Sequence, residues 1–284
     1  MYRVERMNKK ALLVGINYVG DKKELKGCIN DIYNIKTLIT TRYNYKNDNI
    51  RILQDCNQDV KDKSPILADK LPTRTNIING LKWLVNGARF GDSLLFAYSG
   101  HGTTRADLND EEADYNDEGI CPIKDPNNVI AANIDNVIID DELKVLLVDP
   151  LKYGVKLTIL LDACHSATCV DLKYNYGHCN TMTIRMNDPD VLLSGKVILI
   201  AGCDDHATSS NAVFIEETAD GTAKQEINEG ACTHALLMAL SKKNSPSIGE
   251  LLNDMRKYLK ANKYTQIPQL SSNKQLNLKD KFIL

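Results

Sequence analysis

The sequence lacks the features that mark a membrane-bound or secreted protein. None of its apolar runs reaches the roughly 18 residues that a membrane-spanning helix needs. Residues 1–10 are rich in charged side chains and contain no apolar core of the kind that a signal peptide carries. We therefore expect a cytoplasmic protein that has no membrane partner.

The sequence also lacks a large net charge, and it has no cysteines spaced as a pair of metal ligands. The net charge is −2 over 284 residues, which gives no reason to propose nucleic acid or an anionic membrane as a partner. The 8 cysteines are scattered, and no C-x-x-C spacing occurs among them. This distribution does not suit a structural zinc site. We expect reduced thiols in a cytosol-like compartment.

No linker and no internal repeat divides the chain. Hydrophobic residues make up 43% of it and charged residues 25%, which is ordinary for a globular protein. No stretch rich in Pro, Gly or Ser separates two compositions. We therefore predict a single domain over residues 1–284.

Apolar runs alternate with helical spacings in the first part of the chain. Strands are predicted at residues 11–16, 50–53, 93–98, 157–161 and 197–203, and at the end of the chain at 281–284. Helices are predicted at residues 28–41, 73–87, 141–147, 231–240 and 248–259. The alternation predicts an α/β fold with a mainly parallel sheet and helices on both faces. Residues 172–190 and 214–229 are polar, and no element is predicted there.

Two of the predicted strands end in residues that suit nucleophilic catalysis. His101 follows strand 93–98, and Cys164 follows strand 157–161. Taken alone, the Cys is better explained as a small buried hydrophobe and the His as a turn residue. Parallel strands present their carboxyl ends at one edge of a sheet, however. A thiol and an imidazole at that edge would form a nucleophile and its base.

The motifs around these two residues, Y-S-G-H-G at 98–102 and D-A-C-H-S at 162–166, resemble the catalytic motifs of the metacaspases, which are caspase-like cysteine peptidases of clan CD. Residues 10–18, 25–31 and 268–272 resemble further parts of the family, nearest to its type I members. The resemblance implies a caspase-like fold with a large-subunit-like part over about residues 1–185 and a small-subunit-like part over 186–284. Ala167 replaces a residue that is usually Gly in the family, and we do not expect it to inactivate the protein.

The reaction that the resemblance implies is peptide-bond hydrolysis through an acyl-enzyme. Cys164 attacks the scissile carbonyl as a thiolate, and His101 takes its proton and later protonates the leaving amine. The backbone N–H groups of Gly102 and Cys164 are the candidates for stabilising the oxyanion. His206 is a weaker alternative as the base, and His165 has no catalytic role in the family.

Two acids predict the substrate preference. Asp31 and Asp162 are expected on one side of the sheet, where a pair of carboxylates would hold an Arg or Lys side chain. The resemblance implies an S1 pocket made of Cys28, Asp31, Ser99 and Asp162. We expect protein or peptide substrates that are cut after Arg or Lys, whereas true caspases cut after Asp and need basic residues in this pocket.

Calcium is the cofactor that the resemblance implies, as an activator without a part in the chemistry. The ligands would be the aspartates at four positions that match the family site, Asp117, Asp140, Asp141 and Asp171. Without the resemblance, the acidic run at 107–118 is better explained as a solvated loop and the pair at 140–141 as a helix cap.

Three further expectations accompany these. The resemblance suggests a zymogen connected with programmed cell death and permits self-cleavage after Lys173 or Arg185, and it favours a monomer.

A catalytically silent, calcium-binding scaffold on the same fold is the alternative from another functional class. A redox sensor that uses Cys164 and Cys169 is a third, weaker alternative.

Overall fold

The structure is a computed structural model that describes residues 7–59, 61–106, 116–124, 136–163, 170, 172–177, 182–184, 194–202, 211–217 and 224–284. The strands in this part of the chain are β1 (Lys9–Gly15), β2 (Ile50–Gln54), β3 (Ser93–Ser99), β4 (Gly102–Ala106), β5 (Asn116–Ile120), β6 (Ile138–Ile139), β7 (Lys156–Asp162), β8 (Tyr174–Tyr176), β9 (Met182–Ile184), β10 (Lys196–Ala201), β11 (Asn211–Glu217), β12 (Lys224–Gly230) and β13 (Gln269–Ser272). The α-helices are α1 (Cys28–Arg42), α2 (Arg74–Val85), α3 (Asp140–Leu147), α4 (Ala231–Lys242) and α5 (Ile248–Ala261).

The centre of the fold is an eight-stranded sheet with the order β2-β1-β3-β7-β10-β13-β8-β9. The strands from β2 to β10 pair in parallel, and β13, β8 and β9 add antiparallel pairings at one side. Because both faces of the central strands are covered, their sequences are almost continuously apolar. The predicted mainly parallel α/β fold is confirmed.

Helices cover both faces of the sheet, as predicted. Successive strand side chains point to opposite faces, so Leu13 belongs to the buried cluster under α1, α4 and α5, whereas Leu12 belongs to the cluster under α2 and α3. The side chain of Thr73 caps α2 by accepting the N–H of Asn76 at 3.3 Å. In the described part of the chain, no helix combines the length and the apolar character that crossing a membrane requires.

Two stretches without a predicted element contain strands. Strands β11 and β12 pair antiparallel and lead directly into α4, and β8 and β9 lie within the polar stretch 172–190. A second small sheet, with the order β4-β5-β6, follows His101. The pairing of β11 with β12 places Gly230, the last residue of β12, at the start of α4, and the small sheet begins directly after His101.

The predicted strand at 281–284 is wrong. Only Lys281 forms a bridge, to Ser247, and the antiparallel position beside β10 is taken by β13. The apolar character of the chain end has another reason, because the side chains of Phe282 and Leu284 are buried in the core beneath α5.

Candidate active site

Neighbouring strands bring Ser99 and Asp162, one from each of the two motifs, to the same edge of the sheet. Strands β3 and β7 pair in parallel with Ser99 opposite Asp162, and the N–H of Gly100 donates to the carbonyl of Asp162 at 3.3 Å. His101 follows two residues after Ser99, and Cys164 would follow two residues after Asp162. Cys164 lies outside the described residues, so its contact with His101 stays a prediction.

The imidazole of His101 is oriented by a backbone carbonyl. Its Nε2 lies 2.7 Å from the carbonyl oxygen of Lys23. A carbonyl oxygen only accepts hydrogen bonds, so Nε2 carries the proton of the neutral ring and Nδ1 is the basic nitrogen. Lys23 was not among the predicted site residues, because a backbone carbonyl leaves no signal in the identity of a side chain.

The four predicted S1 residues lie together below this edge. Asp31 is fully buried and Asp162 is 5% exposed, and the hydroxyl of Ser99 donates to Asp31 Oδ2 at 2.5 Å. Cys28 is also buried and begins α1, the helix that carries Asp31 in its first turn. The structure thus places two acids, a hydroxyl and a thiol in one buried cluster.

Gly230, at the junction of β12 and α4, lies between the two acids. Its N–H donates to both carboxylate oxygens of Asp31, at 2.9 and 3.1 Å. The N–H of Thr233 donates to Asp162 Oδ2 at 2.7 Å. A Cβ at position 230 would lie 2.2 Å from Asp162 Oδ2 and 2.7 Å from Asp31 Oδ2, so only glycine fits here.

The acids therefore also bind the amino terminus of α4, where the helix dipole favours negative charge. Gly230 itself supplies no side-chain cap. Neither Gly230 nor Thr233 was predicted as a site residue. The available signal was a glycine directly before an apolar helix, which marks a helix start but not a pair of acids from elsewhere in the chain.

The electrostatics of the cluster disfavour two uncompensated negative charges. Burial, and then the neighbouring charge of Asp162, raise the pKa of Asp31 well above its ordinary value. Burial and the charge of Asp31 likewise raise the pKa of the Cys28 thiol. A cation placed beside the carboxylates would favour their ionised forms.

The residues of the predicted calcium site are described in part. Asp140 is buried, and its two carboxylate oxygens accept the N–H groups of Glu118 and Asp141, each at 2.9 Å. Asp117 lies beside Glu118 in β5. Aspartate carboxylates from separate segments are the type of ligand that calcium prefers. Among the residues that the structure describes, no group of three or more His, Cys, Asp or Glu side chains is placed to hold a metal ion. The fourth predicted ligand, Asp171, lies outside the described residues.

Other residues singled out in the sequence are placed less completely. Lys173 directly precedes β8, and its Nζ lies 5.9 Å from the centre of the Tyr174 ring. The remaining ones lie outside the described residues: His165, Ala167, Cys169, Arg185 and His206.

Comparisons with known proteins find relatives of this chain by sequence and by structure. Residues 9–173 match the family described as metacaspase, peptidase C14 domain. Metacaspase-1 of Eremothecium gossypii is 33% identical over 98% of this chain and 66% of its own length. For metacaspase-1 of Saccharomyces cerevisiae the identity is also 33%, over 97% of this chain and 69% of the relative. The chain thus spans about two thirds of the length of these curated relatives.

Solved structures show the same fold. A crystal structure of a protein from Geobacter sulfurreducens has a TM-score of 0.62 at 21% identity and covers 95% of each chain. Caspase-1 from Spodoptera frugiperda has a TM-score of 0.51 at 12% identity, covering 98% of this chain and 89% of the other. At these identities the likeness shows the fold alone, and the predicted caspase-like fold is confirmed.

Proposed function

Because the chain belongs to the metacaspase family of cysteine peptidases, we propose that it is a calcium-activated endopeptidase that cleaves after Arg or Lys. The observation that carries the preference is the buried pair of acids formed by Asp162, at the carboxyl end of β7, and Asp31, in the first turn of α1. The family supports the cysteine chemistry, and the acids support the choice of substrate.

In the proposed reaction Nδ1 of His101 takes the proton of the Cys164 thiol. Lys23 holds the Nε2–H on the far side of the ring, at 2.7 Å, so the same carbonyl stabilises the imidazolium that results. The thiolate attacks the scissile carbonyl, the imidazolium protonates the leaving amine, and water hydrolyses the acyl-enzyme. The N–H groups of Gly102 and Cys164 are proposed to bind the oxyanion.

The acid pair would select the side chain before the cleaved bond. A carboxylate has about four acceptor sites, which is more than the bonds of Asp31 to the N–H of Gly230 and to the hydroxyl of Ser99 occupy. A guanidinium donates several hydrogen bonds in a planar fork, and an ammonium acts as a point charge. Arg is therefore expected to be preferred over Lys, and an Asp side chain would be repelled.

Calcium would be held by the carboxylates of Asp117, Asp140, Asp141 and Asp171. When bound, the ion would supply positive charge that offsets these acids and would join the segments that carry them. Asp140 already links β5 to the start of α3 through its two backbone hydrogen bonds. This linkage supports the proposal that calcium activates the enzyme by ordering β5 and the start of α3.

A cleavage assay with matched peptides tests the proposal. Peptides that differ only in Arg, Lys or Asp before the scissile bond are incubated with the protein in calcium or in chelator. We expect kcat/KM for the Arg peptide to exceed that for the Asp peptide by about 10³-fold or more, since like charges in a desolvated site cost several kcal/mol. Chelator should suppress the cleavage, and added calcium should restore it where magnesium does not. Comparable cleavage of the Arg and Asp peptides would contradict the preference.

A further inference from the structure

Tyr18, the third residue after β1, has an unusual backbone conformation. Its φ is 55°, and in the described part of the chain only Asn44 and Lys263 share a positive φ among residues other than glycine. A left-handed conformation is uncommon for a bulky side chain and is energetically unfavourable. Such strain persists where surrounding groups impose it.

Asp55, which directly follows β2, imposes this conformation. Its carboxylate accepts the N–H groups on both sides of Tyr18, from Asn17 at 2.9 Å and from Val19 at 3.3 Å. Asn17 in turn closes the loop, because its carbonyl accepts the N–H of Leu25 at 2.7 Å. The loop from residue 17 to residue 25 is thus held at its start by a side chain from the neighbouring strand.

Tyr18 contacts both the backbone and the ring of His101. The phenol oxygen accepts the N–H of His101 at 2.9 Å and donates to the carbonyl of Cys121 at 2.6 Å. The centres of the Tyr18 ring and the imidazole are 4.5 Å apart, with an angle of 36° between the planes. The hydroxyl of Tyr98 donates to the carbonyl of His101 at 2.7 Å, so two phenols hold both backbone groups of this residue.

The same loop supplies the second contact to the imidazole, through the carbonyl of Lys23. A ring on one face and a carbonyl at Nε2 together fix the plane of the imidazole and the direction of Nδ1. We propose that Tyr18 is a positioning residue for His101, and that Asp55 acts through Tyr18 by imposing its strained backbone. The proposal rests on the proposed function, in which His101 is the base.

The first test compares Tyr18→Phe with Tyr176→Phe. Both variants remove a buried phenol oxygen that accepts a backbone N–H, from Leu276 at 2.7 Å in the case of Tyr176, but β8 lies four places from β3 in the sheet. For Tyr18→Phe we expect kcat on the Arg peptide to fall about 10-fold with KM changed less than about twofold, because the S1 residues are untouched. Tyr176→Phe should lose similar thermal stability and keep its kcat.

The pH dependence of Cys164 alkylation is a second measurement, and a smaller fraction of folded protein would not change it. The rate of iodoacetamide modification at this residue is followed against pH by peptide mass spectrometry. A thiol paired with a well-placed imidazole reacts at low pH, whereas an unassisted thiol follows a pKa near ~8.5. We expect Tyr18→Phe to shift the profile toward higher pH. Tyr18→Asn, which tolerates the left-handed backbone but removes the ring, should shift it further and lower kcat about 100-fold.

The role of Asp55 is tested with Asp55→Asn against Asp62→Asn. Asp62 also accepts a backbone N–H, from Ser64 at 2.9 Å, on an exposed loop. Asp55→Asn should lower kcat about threefold to tenfold and move the alkylation profile in the same direction as Tyr18→Phe, and Asp62→Asn should do neither. Since Asp55 acts through Tyr18, the effects in the double variant should be smaller than the product of the single effects.

Unchanged kcat and an unchanged alkylation profile in Tyr18→Phe and Tyr18→Asn would overturn the proposal. So would an equal loss of kcat in Tyr176→Phe, since the effect would then follow from stability. If the unmutated chain cleaves no peptide, the proposed function fails, but the alkylation profiles still decide whether Tyr18 positions the imidazole.

Discussion

Replacing Cys164 by Ala should lower kcat/KM for an Arg peptide by at least about 10⁴-fold, because no other group is expected to form the acyl-enzyme. His101→Ala should cost a similar factor, and the double variant should be no worse than either single one, since nucleophile and base act as a unit. The measurement is calcium-stimulated turnover of one peptide at saturating calcium. Cys56→Ala is the matched control, because burial raises the pKa of that half-buried thiol to about 11, which leaves little thiolate at neutral pH.

Two outcomes would contradict the assignment. Cleavage that survives Cys164→Ala would mean that another residue, or a contaminating peptidase, is responsible. An unmutated chain that binds calcium and cuts no peptide would instead favour a catalytically silent calcium-binding protein on the same fold. Calorimetry of calcium binding to the unmutated chain and to Cys164→Ala is the control, because an unchanged affinity would show that the substitution leaves the fold intact.

The central sheet could be predicted because its strands have a local signal. Strands β1, β3, β7 and β10 are covered on both faces, so each shows an almost continuous apolar run. In a parallel sheet the carboxyl ends of these strands lie at one edge, so the topology predicted that His101 and Asp162 lie there together. The resemblance to a family added Cys28 and Ser99 to that edge, and the structure brings both next to Asp31.

The parts that could not be predicted depend on contacts between distant segments or on backbone atoms. Strand β12 reads K-Q-E-I-N-E-G, which is poor in residues that favour strands, and it forms by pairing with β11. Gly230 and Asp31 are 199 residues apart in the chain, so nothing local connects them. The role of Lys23 resides in its carbonyl. The apolar residues 281–284 were assigned to a strand because a short apolar run does not distinguish pairing from packing.

The buried acid pair predicts opposite effects of one substitution on activity and stability. Asp31→Asn should lower kcat/KM for the Arg peptide by about 10²-fold or more, because one of the two charges that hold the guanidinium is lost from a desolvated site. The hydrogen bonds need not be lost, since the amide oxygen still accepts the N–H of Gly230. The effect should appear in kcat/KM for Arg and Lys peptides alike. A ratio of kcat/KM between the Arg and Asp peptides that is unchanged by Asp31→Asn would contradict the assignment of the S1 pocket.

The same variant should be more stable than the unmutated chain at neutral pH. Burial and the charge of Asp162 make the pKa of Asp31 higher in the folded chain than in the unfolded chain, where a carboxyl ionises near pH ~3.9. Between these two values the folded state binds more protons, so the free energy of unfolding falls as pH rises through the window and stays lower above it. Asn is neutral throughout, so the gain in Tm over the unmutated chain should be larger at pH 7 than at pH 4.

Asp62→Asn is the control of opposite sign for this stability experiment. Hydrogen bonds from the hydroxyl and the N–H of Ser64 lower the pKa of Asp62, so its ionised form is the one favoured by folding, and its replacement should bring no gain in Tm at pH 7. A gain for Asp31→Asn that is equal at both pH values would mean that its origin is packing and not charge. A gain confined to neutral pH would mean that the negative charge of Asp31 destabilises the fold. The charge would then be present because it binds a basic side chain of the substrate.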